Sequence, residues 1–278
     1  MSKNVEEEIS IIITLYKTPI ENIQLLNQYR NFKVLIFNQA EKDDSKKKLD
    51  EILKFNFEYY SSKKNLGNSR SSNILLSKVT TKYCLFTQPD VTVDVLTIKK
   101  LVNLMKLRED IIFTGPIIKS NEGTETKDSK QNYIEKKYLD ASCMLCDVKK
   151  TREIGFFDEN FFLYWNDEDL MARVNKSNYI MIQSLDSFAI HKSSQSSKND
   201  FKVDLIRGVS FKYGEYLYDY KYKKFRFIKL IRQFIQNFLF MLFNFVFFKG
   251  KKALKNISFL IGILIFVKFI IFNRKAFL

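Results

Sequence analysis

The stretch Ile9-Ser10-Ile11-Ile12-Ile13-Thr14-Leu15-Tyr16 decides the fold. It is uncharged and dominated by β-branched residues, the pattern of a strand buried on both faces of a parallel sheet. Thr18-Pro19 ends it, and residues 20–30 return to helical spacing. A second strand follows at 32–37, closing on the polar Asn38-Gln39, and then a charged helix at 42–53. Residues 55–60 form a third strand, Asn65-Leu66-Gly67-Asn68 a turn, and 69–77 a helix. Residues 83–87 form a fourth strand, stopped by Gln88-Pro89-Asp90. This alternation predicts an α/β fold with a doubly wound, mixed and mostly parallel sheet of the nucleotide-binding type. Ligands of such sheets lie beyond the carboxyl ends of the strands. Tyr16, Asn38, Asn65 and Asp90 end or follow those strands and are expected along one edge.

The composition divides the chain. The formal charge is +15 over 278 residues, with 46 Lys+Arg against 31 Asp+Glu. Residues 201–278 hold 16 basic and 3 acidic residues and 21 of the 42 aromatics, so the first 200 residues carry only +2. A nucleic-acid binder would show its basic surface on the body, so no nucleic-acid partner is expected. The division predicts a nearly neutral domain over 1–200 and a basic, aromatic helical tail over 201–278. Residues 1–8 are acidic and lack an apolar core, so a cleaved leader is not expected. Residues 121–130, polar and charged, read as a solvated loop or as a lid near the site. Cys143 and Cys146 form a lone CxxC. A zinc site needs about four ligands, and with one further Cys and one His the pair reads as part of a buried strand.

The densest chemistry lies in residues 155–170, GFFDENFFLYWNDEDL. The only Trp, Trp165, leads into Asp167, Glu168 and Asp169, and a helical pattern continues through Leu170, Met171 and Val174. Acids in a first turn suit the helix dipole. Acids set against aromatic surface are also partly desolvated, as a general base near neutral pH requires. The one histidine, His191, ends a strand-like run at 187–190, where the ligand edge is expected.

In order, these blocks resemble a family 2 glycosyltransferase of the GT-A fold, most of all its rhamnosyltransferase-type branch, over roughly residues 8–195. The matching segments are Thr14-Leu15-Tyr16, Asn65-Leu66-Gly67 with Asn73, Gln88-Pro89-Asp90-Val91, residues 155–170 and Ala189-Ile190-His191. The resemblance implies that the domain over 1–200 is the catalytic one and that Thr14, Tyr16, Asn38, Asn65, Gly67 and Asn73 bind a nucleotide-diphosphate sugar. It further implies that Asp90 and His191 hold a divalent metal, Mg²⁺ or Mn²⁺. Asp167 would be the base that deprotonates the acceptor hydroxyl, with Trp165, Glu168 and Asp169 on the acceptor side. Four positions depart from the pattern: Gln88 and Asn166 replace acids, Asn38 replaces an Asp, and Ala141 stands where relatives often have Gly. Gln88 and Asn166 keep open a second reading, a non-catalytic membrane-associated protein that binds nucleotide sugar or glycan.

The tail carries two apolar stretches, 234–248 and 257–272, with basic clusters beside them. Each falls short of the usual ~20-residue span. Interfacial helices attracted to an anionic membrane surface are therefore expected, ahead of a helical subdomain packed on the body or two short spans forming a hairpin. Together with the resemblance, this predicts a lipid-linked or polysaccharide acceptor and a place on the cytoplasmic face of the inner or plasma membrane.

Overall fold

A computed structural model describes residues 5–40, 44–120, 132–192, 196–198 and 200–272. The chain forms two compact units. The first comprises Met1–Phe157 and Leu170–Lys198, the second Asp158–Asp169 and Asn199–Leu278. The expected lid at 121–130 lies outside the described residues.

The first unit opens with β1 (Ile9–Tyr16), α1 (Ile20–Leu25) and a 3-10 turn at Leu26–Tyr29. The expected single helix over 20–30 tightens there, where Asn27 is tied to a later segment of the chain. Its side chain donates to the Ile52 carbonyl at 3.3 Å and accepts from the Lys54 amide at 2.9 Å. Then come β2 (Lys33–Gln39), α2 (Ser45–Ile52), β3 (Phe57–Ser62), α3 (Gly67–Lys78), β4 (Tyr83–Thr87), β5 (Val91–Val93) and α4 (Val95–Met105). The unit continues through β6 (Ile111–Lys119), β7 (Tyr133–Lys136), β8 (Cys143–Asp147), α5 (Val148–Ile154), α6 (Asn166–Val174) and β9 (Ile180–His191). Helix α6 crosses the division: its first turn counts with the second unit.

The described strands form one sheet in the order β3-β2-β1-β4-β8-β6-β9-β5, with β7 on β9. β1 pairs in parallel with β2 and β4, and β2 with β3. β8 runs antiparallel to both β4 and β6, and β9 runs parallel to β6. The fold is thus mixed α/β, with most strands pointing one way.

Period-2 alternation assigns each strand residue to a face. Ile11, Ile13, Val34, Ile36 and Leu85 pack with Ile98, Leu101 and Val102 of α4. Ile12, Leu35, Phe37, Cys84 and Phe86 pack on the other side with Leu75, Leu76, Leu170, Met171 and Val174. The same alternation separates the CxxC pair, with Cys143 in the first layer and Cys146 in the second, opposite Cys84 in register. All three cysteines are free and buried, and burial pushes the Cys143 thiol up to about 12.

The second unit joins Asp158–Asp169 to α7 (Phe201–Lys221), α8 (Phe227–Val246) and α9 (Gly250–Phe272). Asp200 caps α7, its carboxylate accepting from the Val203 amide at 2.8 Å. Phe161 is fully buried among Tyr213, Tyr216, Leu217, Leu230, Ile263 and Phe266. The helices α7 and α9 approach closely. A Cβ at Gly208 would overlap Ser258 Oγ, and one at Gly262 would meet the Val209 carbonyl at 2.7 Å.

The apolar stretches of the tail extend beyond their sequence limits, because flanking polar residues join the same helices. Among the described residues, α9 is the one helix long and apolar enough to cross a membrane. Much of α8 is exposed and apolar, including Ile228, Leu239, Phe243, Phe245 and Val246.

Candidate active site

The carboxyl edge of the first unit gathers most of the expected donor residues. Thr14 donates to the Asn68 side-chain oxygen at 3.2 Å, and Tyr16 is half-buried at the end of β1. Asn38 lies one residue before the end of β2, beside β3, its amide donating to the Tyr59 hydroxyl at 3.2 Å. Between β3 and α3, the Asn65 side chain accepts from the Gly67 amide at 3.0 Å. Gly67 has φ +78°, a region that favours glycine. That left-handed residue turns the chain into α3, which starts two residues earlier than the expected helix. The Gln39 side chain steadies the turn by accepting from the Leu66 amide at 2.8 Å.

Asn73 takes a different task from the rest. Its amide donates to the Phe157 carbonyl at 2.8 Å and accepts from the Phe157 amide at 3.1 Å. It ties α3 to the backbone of the Gly155-Phe156-Phe157 loop.

Asp90 and His191 meet. Asp90 sits in the turn between β4 and β5, fully buried. The pairing of β5 with β9 sets Val91 opposite His191, which brings the two side chains together. His191 Nε2 lies 3.5 Å from Asp90 Oδ2. Burial lowers the imidazole's proton affinity, but the hydrogen bond and charge of Asp90, with the charge of Asp140, outweigh it and raise the pKa. Among the described residues, no group of three or more His, Cys, Asp or Glu is gathered for a metal. One carboxylate and one imidazole form a hard, oxygen- and nitrogen-bearing pair. That set suits Mg²⁺ or Mn²⁺, which keep several non-protein ligands such as substrate phosphate and water.

The acidic motif builds a second cluster, inside the other unit. Asp167, Glu168 and Asp169 occupy the first turn of α6. Trp165 stands just before that turn at φ +69°, an uncommon region for a bulky residue. Its indole N–H donates to the Phe211 carbonyl at 3.0 Å, and its ring lies 5.5 Å from that of Tyr218. Glu168 is pushed up to about 8, by burial first and then by its hydrogen bond to Asp167 and the charge there.

Asp169 is fully buried and anchored. Lys221 Nζ lies 2.6 Å from its Oδ1, and the Tyr222 hydroxyl donates to the same oxygen at 3.0 Å. The Lys221 ammonium also holds Asp158 at 2.7 Å. Burial pushes the Asp158 pKa up, but Lys221 and the Asn160 bonds bring it below the usual carboxylate range. Sequence reasoning missed Asn68, Gln39 and Lys221. The first two lie next to named motif residues, whereas Lys221 is 52 positions from Asp169 and no local signal joins them.

The same fold occurs in solved glycosyltransferases. A mannosyltransferase from Pyrobaculum calidifontis, in complex with GDP-Man and Mn²⁺, matches with a TM-score of 0.54 at 11% identity, over 76% of this chain and 64% of its own. S. aureus TarS 1-349 in complex with UDP-GlcNAc matches at 0.52 and 15% identity, over 73% and 66% of the two chains. GalNAc-T7 with UDP, GalNAc and Mn²⁺ matches at 0.53 and 12% identity, over 77% and 51%. The chain thus spans less than two thirds of the length of the mannosyltransferase, and against the longer TarS chain it spans 39%. No curated protein matches the sequence. The family model for glycosyl transferase family 2 matches residues 10–170, more than half of the chain, and the protein belongs to that family.

Proposed function

We propose that the chain is an inverting, metal-assisted glycosyltransferase that takes a sugar from a nucleoside-diphosphate donor. The observation that carries this reading is the Asp90–His191 pair at the carboxyl edge of the sheet, in a chain whose residues 10–170, Asp90 among them, match family 2. Asp90 and His191 would hold Mg²⁺ or Mn²⁺, which when bound neutralises the charge of the diphosphate leaving group. Thr14, Tyr16, Asn38, Asn65 and Gly67 would receive the nucleotide, and Asn73 would position the Phe157 loop. The donors GDP-Man and UDP-GlcNAc of the solved relatives are the first to test.

Asp167 takes the proton of the acceptor hydroxyl as its oxygen attacks the anomeric carbon. The bond from that carbon to the diphosphate breaks in the same displacement, so no enzyme nucleophile is needed. Glu168 keeps its own proton near neutral pH and donates it to Asp167, which holds the base in one orientation. Trp165 and Asp169 fix the turn on either side. The acceptor in this reading is lipid-linked or a surface polysaccharide, and the protein works on the cytoplasmic face of the inner or plasma membrane. The exposed apolar face of α8, the length of α9 and the basic residues around them support that location.

The test is transfer from each donor with and without Mg²⁺ or Mn²⁺. Asp167→Asn is expected to lower kcat by about 10²–10⁴-fold, the usual worth of a general base. Asp90→Asn is expected to remove the metal response. Unchanged turnover in both variants would sink the assignment. The second reading, a binding protein without turnover, rests on Gln88 and Asn166 in place of acids. It predicts donor binding by calorimetry and no transfer to any acceptor.

A further inference from the structure

The helices of the second unit line an open polar cleft of about 430 Å³, with Phe240 and Phe259 in its wall. A ladder of amides runs through it. Asn244 donates to Asn256 at 3.0 Å, Asn256 donates to Asn237 at 3.1 Å, and Asn237 donates to the Gln233 carbonyl at 2.8 Å. On the α7 side, the buried Lys212 ammonium reaches the Gln233 side chain at 3.1 Å and Glu215 at 2.6 Å. On the α9 side, Lys252 and Lys255 line the same cleft.

Interhelical amides alone can act as packing glue between apolar helices. Two lysines are not explained that way. No Asp or Glu follows Asp219 in the sequence, so α8 and α9 contain no acid. Glu215 is already shared between Lys212 and Lys229. Among the described residues, Lys252 and Lys255 have no carboxylate partner, and Lys255 rests 5.5 Å over the Phe259 ring. Beside the Lys212–Glu215 pair, the cleft therefore presents two exposed ammonium groups, Lys252 and Lys255, with no matching carboxylate. Phe240, half exposed, forms part of its wall, and Leu239 and Phe243 beside it on α8 are exposed as well. An occupant with an anionic head and a long apolar chain would satisfy both features at once.

We propose that this cleft binds the terminal phosphate of a membrane lipid, a phosphate monoester, whose hydrocarbon chain lies along the apolar face of α8. A terminal phosphate offers up to two charges and three acceptor oxygens, which suits several ammonium and amide donors. The proposal deepens the membrane part of the functional reading and rests on it.

The experiment is vesicle flotation of the full chain. Phosphatidylcholine vesicles carry either phosphatidic acid, a monoester, or phosphatidylglycerol, a diester, matched in zeta potential. The wild type is expected to prefer phosphatidic acid by about tenfold, the worth of one added charge-assisted hydrogen bond. Lys252→Gln with Lys255→Gln should erase that preference. Lys223→Gln with Lys224→Gln removes the same charge outside the cleft and should keep it. Equal flotation of the wild type with both vesicles would overturn the cleft site while leaving membrane association intact. Equal loss of preference in the two double variants would overturn it too, by reducing the effect to charge density. Loss of the preference in millimolar inorganic phosphate would overturn the lipid as the source of the phosphate. No flotation with any vesicle would overturn both the cleft site and the membrane reading.

Discussion

At the residue scale, Glu168 shows how environment decides what an acid does. Its neighbours Asp167 and Asp169 share the same helical turn, yet Asp169 is held by Lys221 and Tyr222 while Glu168 is buried beside the charge of Asp167. A carboxyl raised to about 8 in the folded chain, against an ordinary value of 4.5, binds its proton more tightly when folded. The unfolded chain releases that proton first as pH rises. Glu168 therefore contributes no penalty below about pH 4.5, and a growing one from there to about pH 8. Glu168→Gln removes the ionisation. Its thermal midpoint should equal that of the wild type near pH 5 and exceed it near pH 8. A constant difference between the two proteins across that range would show that the raised pKa is absent. The acids and their place in a first turn were legible from the sequence, because a polar run before an apolar period marks a helix start. Their separate roles were not, because burial and the reach of Lys221 depend on residues far along the chain.

At the element scale, the strands were the most legible part. Runs such as 9–16 and 83–87 carry no charge and are mostly apolar on both faces, and only a doubly covered strand needs that. The turn at Asn65–Gly67 was legible for a similar reason, since Asn and Gly together mark a backbone that must visit φ > 0. Helix packing in the tail was not. Gly208 and Gly262 carry no signal of their own among so many aromatics, yet they set the distance between α7 and α9. A Cβ on Gly262 would also lie 3.0 Å from Lys212 Cβ, so Gly262→Ala must push two helices apart. Overpacking of this kind costs about 1–3 kcal/mol. Gly250, at the start of α9, has nothing within 4 Å of its Cβ direction. Gly250→Ala should therefore be neutral or slightly stabilising, by up to about 1 kcal/mol. Calorimetric scans of both variants in the same detergent would compare them, and equal midpoints would remove the close-packing account.

At the scale of the whole molecule, a division at residue 200 follows from charge and aromatic content, which change sharply there. Packing draws the line differently, because Asp158–Asp169 counts with the tail helices. Phe161 is buried in the core of that unit, Trp165 bonds to Phe211, and Lys221 joins Asp158 to Asp169. The tail is thus a structural support for the acidic segment as well as a candidate membrane anchor. An anchor alone would leave solution chemistry untouched when one of its charges is altered, and Lys221 separates the two roles. Lys221→Met leaves Asp169 fully buried with Tyr222 but without its ammonium. Removing one partner of a fully buried pair costs about 3–5 kcal/mol. Lys221 is about a third exposed, so we expect about 2 kcal/mol after allowing for solvent. The donor residues lie in the first unit and Asp167 in the second. Lys221→Met should then lower kcat for a soluble acceptor several-fold and leave the donor KM within about twofold, since only an interaction used after donor binding is lost. Lys224→Met, which removes the same charge from an exposed site, should change neither. A donor KM that rises with an unchanged kcat would place the effect of Lys221 on the nucleotide side and overturn the support role.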